Sequence, residues 1–200
     1  MCAFRGSSAV PVQPAALELL TSLSRVLAAW GRWYVFGAQA VIVHGVPRLS
    51  ADVDVTLALV PDHPERFARD MALGGFALRV ADPDFVRQTR VMPFVHVATG
   101  MPLDVVLAGS GLEDEFLDRA RHMDVGDGWY LPVIAPDDLV IAKVLAGRPK
   151  DLEDVRALWR IHGHELDAGR VRATLGLLEE ALAQSDLVPA FEAAVAAARR

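Results

Sequence analysis

A change of hydrophobic rhythm at Pro136 constrains this chain more than any other feature. Before it, short runs of β-branched and aromatic residues alternate with segments of helical spacing. After it, the apolar residues keep helical spacing to the end. Strands are expected at Trp33–Phe36, Asp52–Val60, Phe76–Val80, Val91–Val97, Leu103–Leu107 and Trp129–Ile134. Helices are expected at Ala15–Trp30, Ala38–His44, from Asp62-His63-Pro64-Glu65 to before Gly74-Gly75, and from the capping box Ser110-Gly111-Leu112-Glu113 to about Arg121. Beyond Pro136 four more follow, at Pro136–Ala146, Lys150–Ile161, Asp167–Gln184 and Leu187–Arg199. Some strands are separated by turns and others by helices, so a mixed sheet in an α+β fold is expected. The expected division is an α/β core over residues 1–135, with a loose N-terminus over 1–14, and a helical C-terminal subdomain over 136–200.

Within the strand Asp52–Val60 stand two acids, Asp52 and Asp54, in a setting that disfavours them. Side chains alternate across a strand, so both acids share a face and their Cα atoms lie roughly 6–7 Å apart. Two like charges at that distance call for a cation between them, and the geometry suits Mg²⁺, which takes a few carboxylates and leaves its other positions to phosphates. Asp104 is another lone acid in an apolar strand, and it would join the pair if the two strands were neighbours. Gly37 closes a strand and opens a helix, a junction that presents free backbone N–H groups to a phosphate. Arg48 lies four residues before Asp52, within reach of the same pocket.

Composition narrows the class. The chain has 200 residues, 52% hydrophobic and 23% charged, a profile of a packed protein and not of a disordered one. No apolar run reaches the roughly 20 residues of a membrane span, the N-terminal segment lacks the apolar core of a signal peptide, and a cytoplasmic location with no membrane partner is expected. One cysteine, Cys2, excludes an internal disulfide framework and a cysteine-based zinc site. A net charge of −6 argues against broad electrostatic binding of nucleic acid, although a local patch of Arg87, Arg90, Arg148, Arg156 and Arg160 could serve. Cations are 18 arginines and two lysines, and those two, Lys143 and Lys150, stand seven residues apart. A point-like ammonium is not interchangeable with a guanidinium at a phosphate oxygen. His162-Gly163-His164-Glu165 fits no standard zinc spacing and reads as a polar helix end, Ser110 reads as a cap, and Trp30, Trp33, Trp129 and Trp159 read as core or interdomain anchors.

Together, the segment from Gly37-Ala38-Gln39 through Arg48-Leu49-Ser50 to Asp52-Val53-Asp54, with Lys143 and Gly147-Arg148-Pro149-Lys150-Asp151, resembles the nucleotidyltransferases of the DNA polymerase β-like superfamily. More narrowly, it is similar to the minimal nucleotidyltransferases related to the AbiEii-type toxins of toxin–antitoxin systems. The resemblance implies that Asp52, Asp54 and Asp104 are catalytic and hold Mg²⁺ (or Mn²⁺). It also implies that Gly37, Ala38, Arg48, Ser50, Lys143, Lys150 and Asp151 bind the nucleoside triphosphate, and that Asp104 takes the proton of an attacking hydroxyl. Asp151 and Asp154 share a helix face from which they would orient the cations. The family usually has Gly-Ser or Gly-Gly where this chain has Gly37-Ala38, a departure that removes a hydroxyl and keeps the backbone N–H. The implied activity is transfer of a nucleoside monophosphate to a hydroxyl of an RNA or tRNA end or of a protein, with a cognate antitoxin as a partner. Two rivals stand beside it: a non-catalytic nucleotide- or partner-binding member of the same fold, and a small-molecule (antibiotic) nucleotidyltransferase.

Overall fold

The strands that carry the acids lie side by side at the centre of the sheet. In a computed structural model, which describes residues 12–58, 64–80, 82–109 and 111–200, β2 (Val53–Leu57) runs parallel to β5 (Pro102–Leu107) and antiparallel to β1 (Trp33–Phe36). β5 continues antiparallel to β4 (Val91–His96), and β4 to β3 (Phe76–Leu78). On the other side β1 pairs in parallel with β7 (Tyr130–Val133), and β7 antiparallel with β6 (Arg121–Asp124). The order of this seven-stranded mixed sheet is β3-β4-β5-β2-β1-β7-β6. Both outer strands are short, and β6 is studded with Arg121, His122 and Asp124, which discourages edge pairing with another chain.

Helix positions follow the apolar spacing closely. α1 (Pro14–Leu27) buries Leu19, Leu20, Leu23 and Leu27. α2 (Gly37–Val43) leaves β1 without an intervening residue. α3 (Pro64–Leu73) ends at Gly74, and α5 (Leu112–Arg119) precedes β6. α6 (Pro136–Ala146), α7 (Pro149–His162), α8 (Ala168–Leu182) and α9 (Leu187–Ala198) occupy the stretches expected from the change at Pro136. Their buried side chains join those of the sheet in one contiguous core that runs from Leu19 and Val55 to Leu158 and Phe191. No helix among the described residues is long and apolar enough to cross a membrane.

Several expectations need correction. The strand with the acids starts at Val53, so Asp52 stands just before it, and residues 59 and 60 lie outside the described residues. The same holds for Cys2, Asp62, His63 and Ser110, and therefore for the caps expected of Asp62 and Ser110. At α5 the described cap is Gly111, whose N–H donates to Asp114 (3.4 Å). Two elements were not expected. α4 (Pro83–Thr89) buries no side chain and is started by Asp82, which accepts the N–H of Asp84 (2.9 Å). β6 replaces a helix end and the loop after it. Trp129 is no anchor: it is exposed, with Arg25 stacked 5.8 Å from its ring. Trp33 and Trp159 are buried as expected, while Trp30 is half-buried and donates to Asp70.

Buried acids set the position of α6, the helix that carries Lys143. Asp137 accepts the N–H of Asp167 (2.7 Å), and Asp138, fully buried, accepts from Arg119 of α5 (2.9 Å) and Arg170 of α8 (2.7 Å). Acids in a first turn also suit the helix dipole. At its other end α6 stops at Gly147, whose φ of +65° is the left-handed conformation that glycine tolerates best. Pro149 then starts α7 two residues later.

A second buried clamp joins α2 to α7. His44, after α2, donates from Nε2 to the Ile134 carbonyl (2.8 Å), and His162 at the end of α7 donates to the His44 carbonyl (2.7 Å). Burial, reinforced by His162 and Arg121 and only partly opposed by the Ile134 bond, lowers the His44 pKa from 6.5 to about 4. The folded protein therefore keeps His44 neutral while the unfolded chain takes up a proton below pH 6.5. This contribution to stability is complete above 6.5 and falls as the pH drops towards 4. Between pH 7 and 5 the loss should be about 2 kcal/mol. Urea unfolding at both pH values should show it in the wild type and show it reduced by that amount in His44→Gln, whose amide can still donate and does not titrate.

Candidate active site

β1 ends at Phe36, and the next residue must turn into α2 while a carboxylate passes it. Gly37 does so at φ +63°; a Cβ there would stand 2.0 Å from Asp54 Oδ2. Only glycine leaves room for that acid. Phe36 is opposite Asp54 on β2, Asp54 is opposite Asp104 on β5, and Asp104 is opposite Pro93 on β4. Directly paired residues point to one face of a sheet, so this register brings the acids of two separate strands together. Asp52, just ahead of β2, completes the acidic side and is held by Ser50, whose hydroxyl donates to Asp52 Oδ1 (2.8 Å).

These acids line a cleft of about 470 Å³, with Gly37, Ala38, Arg48 and Ser50 around them. From the helical side Lys143, Lys150 and Asp151 line the same cleft, together with Arg148. The acids and the nucleotide-binding residues expected from the sequence are thus brought to one place, in a volume typical of ligand sites.

Charge is divided sharply across the cleft. Asp54 has its pKa raised from 3.8 to about 6, first by burial, then by repulsion from Asp52 and Asp104, with Lys143 and Arg148 acting weakly against this. The lysines do not stand alike. Lys143 lines the cleft but is buried between Asp151 and Asp154, 2.8 Å from each. Arg148 is paired with Asp151, and Arg48 with Asp154. Burial opposes ionisation of Asp151, but Arg148 and Lys143 outweigh it and lower its pKa. Asp151 and Asp154 therefore fix three of the cations that line the cleft, Lys143, Arg148 and Arg48. Lys150 is exposed and has no ion-pair partner among the described residues. Of the arginines expected to form a basic patch, Arg87 pairs with Asp84, and Arg90 donates to the Leu107 and Ala108 carbonyls. His162 and His164 lie beside Glu165 at a helix end, as the spacing suggested.

Asp104 differs from the other two acids in having a cation of its own, Arg79. No three His, Cys, Asp or Glu side chains among the described residues stand grouped as a finished metal site. Arg79 and Gln39 are site residues that sequence reasoning passed over. Gln39 is fully buried in α2 and donates to the Asp52 carbonyl (3.0 Å), while its Oε1 has no partner among the described residues. Its only signal was a polar residue in the apolar run Gly37–Val43; that of Arg79 was its alternation with Leu78 and Val80.

This architecture is a nucleotidyltransferase fold. No protein-family model matches the sequence, and no curated protein matches it. Solved structures do. ANT(2″)-Ia, determined in complex with adenylyl-2″-tobramycin, is 14% identical and superposes with a TM-score of 0.56 over 89% of this chain and 97% of that one. An antigenic nucleotidyltransferase-like protein from Paracoccidioides brasiliensis is 14% identical, with a TM-score of 0.54 over 91% and 94%. JHP933 from Helicobacter pylori is 13% identical, with a TM-score of 0.51 over 94% and 92%.

Proposed function

We propose that this chain is a divalent-cation-dependent nucleotidyltransferase that moves a nucleoside monophosphate from a nucleoside triphosphate to a hydroxyl acceptor. The observation that carries the reading is the register of Asp54 against Asp104, with Asp52 beside them, in a cleft whose helical side is cationic. The donor set fits Mg²⁺ or Mn²⁺: it is all carboxylate oxygen, and repulsion within it helps to lift Asp54 to about 6. Asp52, Asp54 and Asp104 would hold the ion, which when bound supplies charge stabilisation at the reacting phosphate.

The chain's own residues do the remainder. Lys150 meets triphosphate charge, while Asp151 and Asp154 keep Lys143, Arg148 and Arg48 aimed into the cleft. The N–H groups at Gly37-Ala38 add donors to the phosphates. Asp104 takes the proton of the acceptor hydroxyl as its oxygen bonds to the α-phosphorus and the bond to the departing pyrophosphate breaks.

Within this class we favour an AbiEii-like member acting in the cytoplasm on an RNA or tRNA end or a protein, under control of a cognate antitoxin. The support is the combined motif of Arg48-Leu49-Ser50, Asp52-Val53-Asp54 and Arg148-Pro149-Lys150-Asp151. Labelled nucleoside triphosphates with Mg²⁺ or Mn²⁺, offered total RNA, protein and small hydroxyl compounds including aminoglycosides, should label RNA or protein. Label on an aminoglycoside alone would move the chain to the antibiotic-modifying reading. Nucleotide binding without transfer to any acceptor would leave a non-catalytic binder.

A further inference from the structure

Arg79 follows β3 and continues its ladder, its N–H donating to the Pro93 carbonyl (2.8 Å). Pro93 is opposite Asp104, and Asp104 opposite Asp54, so Arg79, Pro93, Asp104 and Asp54 form one row across four neighbouring segments of the sheet. The row ends in a cation. From it the Arg79 guanidinium reaches over Pro93 and donates through Nη2 to Asp104 Oδ1. Neither Asp52 nor Asp54 has an ion-pair partner among the described residues. The acid paired here is thus the one on β5, which is nearer than β2 to the β3 edge of the sheet.

We propose that Arg79 is a positioning residue that holds the Asp104 carboxylate in the cation-free protein and competes with the divalent cation for it. The inference rests on the nucleotidyl-transfer reading above. A carboxylate that faces a guanidinium cannot also take a doubly charged ion on its inner side without bringing two cations against each other. The guanidinium is bonded at Oδ1 only, so the ion either displaces Arg79 from Asp104 or shares the carboxylate with it at the cost of that repulsion. The pair is about two-fifths exposed on both sides, so its strength is that of a surface ion pair: enough to shift a binding midpoint, too little to block the site.

Binding of Mn²⁺ alone to the full chain, followed by the electron-paramagnetic-resonance signal of the free ion at fixed ionic strength, tests this without any turnover. Arg79→Gln should lower the half-saturating Mn²⁺ concentration about three- to fivefold. Arg79→Lys, which keeps the charge, should stay within about twofold of the wild type. In an Asp104→Asn background Arg79→Gln should change nothing. A midpoint unmoved or raised by Arg79→Gln overturns the inference. So does a gain that persists in the Asp104→Asn background, since that would be a general effect of net charge. Mn²⁺ binding that is absent from the wild type, or indifferent to Asp54→Asn, would instead remove the metal-site reading itself and this inference with it. Arg79 is exposed, so thermal melts of its variants should match the wild type, and a change in Mn²⁺ midpoint cannot then come from loss of fold.

Discussion

Asp54→Asn should lower nucleotidyl transfer at least about a thousandfold and, at the same time, make the folded protein more stable at neutral pH. The opposite signs separate two kinds of acid. A purely structural acid in a strand would be bonded to neighbours that stabilise its charge, and removing that charge would weaken the fold. Asp54 is placed the other way: burial and the charges of Asp52 and Asp104 lift it to about 6, with little help from Lys143 and Arg148. A carboxyl whose folded pKa is raised contributes stability that is present below its ordinary value of 3.8 and is lost as the pH rises through about 6. At pH 7 its ionisation therefore costs stability, by up to about 2–3 kcal/mol. The isosteric amide removes the charge and keeps the shape. A thousandfold loss of transfer corresponds to about 4 kcal/mol of barrier, within what a lost metal carboxylate accounts for. Labelled transfer and thermal melts on the same preparation decide it. Full activity would refute the site, and a destabilised Asp54→Asn protein would refute the electrostatic account of it.

Much of this arrangement was legible because each legible part departed from a local expectation. Acids in apolar strands exposed Asp54 and Asp104, and a glycine between a strand and a helix exposed Gly37. The change at Pro136 was readable because helical spacing leaves a period and α6 to α9 all bury apolar side chains at that spacing. Where no period exists the reading failed. Arg121–Asp124 has no buried residue to mark it as a strand; pairing with β7 alone makes it β6. α4 likewise buries nothing, and its signals are only Asp82 and Pro83. The roles of the cations were hidden for another reason. Lys143 was expected to face the nucleotide phosphates, and nothing in its sequence neighbourhood announced that the crossing of α6 and α7 sets it between Asp151 and Asp154. Arg79 meets Asp104 across 25 residues of sequence, and only the strand order β3-β4-β5 makes them neighbours. Such encounters are set by topology, to which single-chain patterns are blind.

Gly37→Ala should cost more activity than stability, with transfer down at least about a hundredfold and the fold weakened by about 1–2 kcal/mol. The stability loss is the ordinary one for a side chain at a φ of +63°. The activity loss has a separate origin, because the added Cβ would lie 2.0 Å from Asp54 Oδ2 and 2.9 Å from its Cγ. Backbone at the start of α2 is fixed by β1 on one side and by Gln39, bonded to the Asp52 carbonyl, on the other, so the carboxylate is the part that must move. It would turn away from Asp104 and out of the row that the register creates. A displacement of about 1 Å in a metal-binding or reacting group is enough for a loss of this size. Gly37→Ala also crowds the α2 turn proposed to meet the phosphates, so Asp54→Ala is the informative partner variant: it removes the obstructed side chain. If the methyl group acts through Asp54, Gly37→Ala in an Asp54→Ala background should leave residual Mn²⁺ binding at Asp52 and Asp104 unchanged, whereas in the wild-type background it should weaken Mn²⁺ binding about tenfold or more. Equal weakening in both backgrounds would mean that the turn itself, and not the carboxylate beside it, is what the glycine protects.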